Sequence, residues 1–437
     1  MYNRTCLLKI LASTLTILTT TIVADAQATP PAAVVAGIPV NYDESKVGTY
    51  TLPDPLLKPD GSPVKNAADW LNNRRPGLLR LFEEQQYGRA PGKPADMSFN
   101  VFDKGTPVLN GTAIRKQVTI YFTKDTASVH KLDVLIYLPA QAKKPSPLLL
   151  NISFIANSIA VDDPGVKPGM VWSKDGQRIP APAPRIGFGK LNIGQFIAAG
   201  IGIATFCYTD VEPDMPTGIR YGIRSLYLKN GDTLPARDEW GAIAAWSWAM
   251  SRVMDYLETD PNVDAKRVAI TGASRLGKTV MWTGARDTRF ALVIASVSGE
   301  GGAALSRRNY GETIAHLVAP TRYPYQFAIN YQQYGPDVNK LPVDAHMLIA
   351  MIAPRPLLLQ TGSTDYWSDP KGEFEAALAA RPVYKLFKKE GPPSDTMPQA
   401  GDTSLLLNPL GYFMHEGPHG VLPGDWTHFI TFMKKYL

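Results

Sequence analysis

The chain is poor in cysteine: its 437 residues hold only Cys6 and Cys207. Cys6 falls in a segment expected to be removed, so no intramolecular disulfide can staple the mature protein. Cys207 lies in the apolar run IATFCY and is expected in the core rather than as a reactive thiol. Histidine is also scarce, with six copies, which shortens the search for a general base. No long Lys/Arg run accompanies the net charge of +6, and scattered basic residues argue against nucleic acid as a partner. A basic surface favours acidic substrates or polymers only weakly. Beyond the N-terminus no apolar stretch is long enough to span a membrane. Internal repeats and low-complexity tracts are absent.

The N-terminus reads as a processing segment. Arg4 and Lys9 supply positive charge, the apolar stretch LLKILASTLTILTTTIV follows, and Ala24 and Ala26 in ADAQ fit a small-x-small cleavage site. The competing reading is a membrane anchor, but the apolar core is short and rich in Thr. Cys6 comes too early for a typical lipid-attachment site. A signal peptide over residues 1–26 is expected, with export to the periplasm or beyond.

Residues 27–75, rich in Pro, Asp and Asn, are expected to form a wrapping arm, and residues 76–437 the main domain. The 37 prolines point to long ordered loops. A short helix is expected over 79–90, ended by Gly88 and Pro91. Three strand-like runs follow, MSFNVF, AIRKQVTIYF and KLDVLIYLP, and then the buried strand PLLLNISF. Long loops are expected at 157–190 and 209–237. The clearest helix is DEWGAIAAWSWAMSRVMDYLE, with Asp238 as its expected N-cap and Ile243, Trp246, Met250 and Met254 on one apolar face. Strand–helix alternation through RVAITG, FALVIASVSG, RPLLLQTG, GYFMHEG and DWTHFITFMKKYL predicts a mainly parallel central sheet with helices on both faces.

In open α/β sheets reactive groups collect at the carboxyl ends of strands. Three such ends carry suitable side chains: Ser274 after RVAIT, Asp365 after PLLLQTGST and His419 after YFMHEGP. A serine hydroxyl is a poor nucleophile near neutral pH. It needs a histidine to take its proton and an acid to fix the imidazole tautomer and stabilise the imidazolium. The order Ser, Asp, His is that of α/β-hydrolases. Taken alone, Ser274 could equally cap a helix, and its turn departs from the usual G-x-S-x-G, because Gly277 stands three residues after the serine rather than two. His419, in the Gly/Pro loop beyond the last strand, is preferred over His415 within that strand. Asp365 is preferred over Asp369, which stands before Pro370 and suits a turn. Glu300 is a further acid at a strand end, with a sugar ligand or a loop carboxylate as its other readings.

The segment GASRLGK resembles the G-C-S-R-x-G-K motif of the glucuronoyl esterases, carbohydrate esterase family 15. SGEGGAALSRRNYGE, STDYWSDPKGEF and EGPHGVLPGDW extend the match in order from Gly272 to Trp426. The resemblance implies an α/β-hydrolase fold without metal or cofactor. It also implies cleavage of esters between (4-O-methyl-)glucuronic acid of xylan and lignin alcohols. Ser274 would be the nucleophile, and Arg275 would give its backbone N–H and its guanidinium to the oxyanion. Lys278, one helical turn on, would meet sugar hydroxyls, and Glu312 and Trp367 would hold the uronate ring. Core packing is the other reading of Trp367.

Two positions depart from the family. Ala273 replaces the usual Cys, so a disulfide beside the nucleophile is missing. Val297 stands just before S-G-x-G-G, where some members carry the catalytic acid, so the acid must come from the later loop and Asp365 is favoured. The resulting expectation is an exported, monomeric serine esterase acting on glucuronoxylan or another uronate ester. The alternatives are an acetyl-xylan or other carbohydrate esterase on the same fold, or a non-catalytic carbohydrate-binding relative.

Overall fold

The apolar runs of the sequence become strands of one sheet. The structure, a computed structural model, describes residues 32–182, 189–229 and 231–437. The expected signal peptide, 1–26, lies outside the described residues. The strands of the sheet are β1 (Ser98–Val108), β2 (Ala113–Tyr121), β3 (Lys131–Pro139), β4 (Ser146–Ser153), β5 (Gly202–Cys207), β6 (Val263–Ala273), β7 (Leu292–Ser296), β8 (Leu357–Gly362) and β9 (Leu410–His415). Their spatial order is β9-β8-β7-β6-β4-β5-β3-β2-β1. The pairs from β9 to β5 are parallel, and β3, β2 and β1 complete the sheet as antiparallel neighbours.

Side-chain alternation with period two explains why helices cover both faces. Val268 and Ile270, Leu148 and Leu150, and Leu357 and Leu359 join one buried cluster, while Ala269, Leu149 and Leu358 join the other. The helices Ala242–Leu257, Arg275–Arg286 and Pro370–Leu386 pack into the first cluster. Ile193–Ala198 and Asp425–Tyr436 pack into the second. The expected mainly parallel sheet with helices on both faces is what forms. Cys207 is buried in the sheet, where burial pushes its thiol pKa up to about 12.

Two helix boundaries differ from the sequence reading. The helix expected from 79 starts at Ala67, where the Asn66 side chain accepts from Asp69 N–H. It passes through a π-helical turn, Trp70–Arg74, and continues through Arg75–Phe82 to Tyr87. Pro76, with no N–H to give, sits in the first turn of Arg75–Phe82. Gly88 ends the run at φ 88°, and a Cβ there would lie 2.2 Å from the Glu239 carbonyl oxygen. The second helix begins at Ala242 with Gly241 at its N-cap, so Asp238 does not cap it. Asp238 is drawn instead into an ion pair with Arg89.

Residues Ala33–Leu437 form one compact unit. Within it, residues of the expected arm are tied to the region around the sheet's carboxyl edge. Asn41 O accepts from Gly311 N at 2.8 Å, Pro53 O contacts His346 Nε2 at 2.8 Å, and Glu44 pairs with Arg308 and Lys371. The loop 157–190 contains the turn Asn157–Ala160 and a two-stranded ribbon, Met170–Trp172 with Arg178–Pro180. The loop 209–237 folds back through short 3₁₀ turns.

Candidate active site

β6 delivers Ser274 at the carboxyl edge, and the helix Arg275–Arg286 begins at the next residue. Ser274 sits at φ 58°, ψ −127°. A residue with a Cβ in such a region stores on the order of 1–3 kcal/mol, which the surroundings must offset. The surroundings are specific. Ser274 N–H donates to Ser296 O of β7 at 2.9 Å, and Ser274 O accepts from Lys278 N at 3.0 Å to open the helix. A Cβ at Gly272 would lie 2.6 Å from Leu276 O.

Gly277 has a different task from the second glycine of G-x-S-x-G. A Cβ there would lie 2.6 Å from Ser296 O and 3.0 Å from the Ser298 Cβ. It lets the helix press against the end of β7, the same carbonyl that holds the Ser274 amide.

The register of β8 and β9 sets Gly362 opposite His415, and the loops beyond them carry the acid and the base. His419 Nδ1 lies 2.6 Å from Asp365 Oδ2 and 3.1 Å from Ser368 Oγ. The Asp365 side chain is 3% exposed and that of His419 41%. A buried carboxylate needs a partner to offset its lost hydration, and His419 supplies one while keeping its other edge open. The two loops are zipped together. Ser363 N donates to His415 O, Thr364 N to Gly417 O, and Gly417 N to Ser363 Oγ, each at 3.0 Å. Gly362 allows this close crossing, since a Cβ there would lie 2.6 Å from Pro418 O. Ser274, Arg275 and His419 line one cavity of about 1430 Å³.

His415, the alternative base, has another position. Its Nδ1 lies 2.8 Å from Asp425 Oδ2 and its Nε2 2.9 Å from Pro418 O, the carbonyl just before His419. Asp425 Oδ2 also accepts from Leu422 N at 2.7 Å. This pair grips the base loop from beneath. Burial disfavours the charged ring, but Asp425 and the Pro418 carbonyl outweigh it and raise the His415 pKa.

The remaining acids sort by partner. Asp369, at φ 52°, caps the helix Pro370–Leu386 through Gly372 N at 3.0 Å and pairs with Arg308 at 2.9 Å. The turn-shaping reading of Asp369 therefore fits. Glu300 accepts from Ser306 Oγ at 2.6 Å, Gly301 N at 3.0 Å and Tyr331 OH at 3.2 Å. Burial raises its pKa to about 8, and none of its bonds reaches a histidine. Val297, apolar and buried, bonds through its N–H to Gln360 O at 2.6 Å.

Lys278, Glu312 and Trp367 come together. Lys278 Nζ lies 3.8 Å from Glu312 Oε2 and donates to Ser298 O at 2.8 Å. Glu312 N donates to Trp367 O at 2.8 Å. Burial lowers the Lys278 pKa, with Glu312 opposing. Trp367 is half-buried; its ring meets His316 edge-on at 5.3 Å, and the Arg322 guanidinium lies 5.2 Å from its centre. Arg322 also donates to Glu312 Oε1 at 2.7 Å. Arg275 Nη1 pairs with Asp214, and its guanidinium stacks 4.7 Å from the Tyr323 ring. Burial disfavours the Arg275 charge, but Asp214 outweighs it and raises the pKa.

Sequence reasoning missed Ser368, Asp425, Arg322, Asp214 and Glu373. Glu373 is buried and accepts from Gly299 N at 2.6 Å and Ser298 Oγ at 3.1 Å. It thereby holds the turn whose Ser298 carbonyl receives Lys278. Burial raises its pKa to about 8. Ser368 lies inside the loop that carries Asp365, so proximity could have flagged it. Asp214 and Arg322 sit in irregular segments with no spacing to mark them.

A family model described as glucuronyl esterase, fungi, matches residues 170–388. A curated carbohydrate esterase from an unknown prokaryotic organism is 40% identical over 91% of this chain and 92% of its own length. A solved glucuronoyl esterase from Solibacter usitatus is 42% identical, covering 90% of this chain and 100% of that chain, with a TM-score of 0.84. A 4-O-methyl-glucuronoyl methylesterase from Phanerochaete carnosa is 26% identical over 80% of this chain and 74% of its own length.

Two outcomes are expected. Gly277→Ala should cost about 1–3 kcal/mol by overpacking the helix against β7, read as a lower Tm; an unchanged Tm would refute the packing role. The His415 charge, with its folded pKa raised, stabilises below the unfolded pKa, and this contribution is lost as pH rises through the folded value. The Tm gap between wild type and His415→Gln should therefore narrow from about pH 6 to about pH 9, and a gap that widens would contradict the assignment.

Proposed function

The chain belongs to the glucuronoyl esterases, carbohydrate esterase family 15, and on that premise we propose that Ser274, His419 and Asp365 carry its hydrolysis of (4-O-methyl-)glucuronic acid esters. The observation that supports this most is the 2.6 Å contact of His419 Nδ1 with buried Asp365, on a cavity that Ser274 also lines.

The carboxylate fixes the Nδ1–H tautomer and leaves Nε2 as the base. His419 takes the proton from Ser274 Oγ as the oxygen attacks the uronoyl carbonyl carbon, and the carbonyl electrons move to its oxygen. The backbone N–H of Arg275 belongs to the first turn of a helix, where amides have no intrahelical acceptor. Together with the guanidinium it receives the developing negative charge, which preorganised and charge-assisted donors stabilise best. Collapse of the intermediate expels the alcohol, which leaves with the proton held by His419. Water, deprotonated by His419, then attacks the acyl-enzyme and releases the uronate and Ser274.

Lys278 and Glu312 offer a donor and an acceptor to neighbouring sugar hydroxyls, and the half-buried Trp367 offers a face to the pyranose C–H groups. An acetyl ester would meet the same triad and gain nothing from these three. The proposal extends to export after removal of residues 1–26. No helix among the described residues is long and apolar enough to cross a membrane.

Ser274→Ala is expected to lower kcat on benzyl glucuronate by roughly 10⁴-fold or more, and full activity in that variant would sink the mechanism. In the wild type, methyl and benzyl glucuronate should turn over far faster than acetylated xylan. The reverse ranking would instead favour an acetyl-xylan esterase.

A further inference from the structure

Asp214 lies in the loop 209–237, outside every motif, yet its side chain is 7% exposed and heavily engaged. Its Oδ2 accepts from Arg275 Nη1 and from Tyr208 OH at 3.0 Å. Its Oδ1 accepts from Tyr325 OH at 2.9 Å and Gln326 Nε2 at 2.8 Å. Four donors, two of them on the adjacent residues Tyr325 and Gln326, converge on one carboxylate. On the other side, the Arg275 guanidinium is held against the Tyr323 ring at 4.7 Å. Among the described residues its Nε and Nη2 have no hydrogen-bond partner, and Arg275 lines the cavity that holds Ser274 and His419.

An oxyanion donor must be held still before the reaction, because reorganising it during the reaction costs rate. A flexible arginine is a poor donor unless something fixes it. A bare carboxylate would fix it but would also cancel much of its positive field. We propose that Asp214 is the positioning residue of the oxyanion site: it anchors Arg275 through one nitrogen and leaves the remaining N–H groups for the reacting carbonyl oxygen. Tyr208, Tyr325 and Gln326 share its negative charge, so Arg275 keeps its field for the intermediate. The role acts on the transition state, where the oxygen is charged, and far less on the neutral ester as it binds.

This inference rests on Arg275 serving the oxyanion, and a double-mutant cycle on benzyl glucuronate tests both. Asp214→Asn should lower kcat at least about 10-fold with KM changed less than about 3-fold, since loss of one oxyanion donor costs about 10²–10³. In an Arg275→Ala background the same substitution should lower kcat less than about 3-fold further. Equal losses in the two backgrounds would make Asp214 a merely structural residue and overturn the proposal. Full activity in Arg275→Ala would overturn it too, while leaving the Ser274 assignment untouched. Should Asp214→Asn fail to fold, Tyr325→Phe carries the same cycle. The proposal then expects a lower kcat that disappears without Arg275, and an additive loss or none refutes it.

Discussion

The constraint on which the site depends is the backbone of one residue. Ser274 must hold φ 58° with a side chain attached, and everything adjacent is arranged to make that the best available state. Gly272 leaves room for the Leu276 carbonyl, the Ser296 carbonyl takes the Ser274 amide, and Gly277 lets the helix close on that same strand end. The parallel sheet supplies the frame. Its central strands are buried on both faces, so the elbow cannot relax without disturbing two hydrophobic clusters.

Around this point the molecule keeps several charged side chains largely out of water against identified counterparts. Asp365 faces His419, Arg275 faces Asp214, and Lys278 and Arg322 face Glu312. Removing one member of such a pair leaves a costly orphan. The arrangement also preorganises: donors and acceptors are fixed before substrate arrives, rather than gathered by it.

Much of this was legible in the sequence, and for physical reasons. The strands of the parallel region are continuous apolar runs because both their faces are covered. Ser274, Asp365 and His419 stood out because α/β sheets gather chemistry at strand ends. What was hidden depended on contacts far apart in the chain. Asp214 finds Arg275 across 61 residues and Asp238 finds Arg89 across 149; neither separation has a period to reveal it. The boundary at Asp238 misled because a good cap residue had a better partner elsewhere. Gly277 looked misplaced only while it was judged as part of the elbow rather than as the contact between helix and strand.

The stitching of the acid loop to the base loop has a further consequence. Asp365 and His419 ride on segments joined by three backbone-anchored bonds and gripped beneath by His415 and Asp425. They cannot drift independently, so partial loosening does not yield a molecule with a misaligned pair and a weakened base. The unit is either seated or displaced as a whole. Heat or denaturant then changes the number of working molecules before it changes how well each one works.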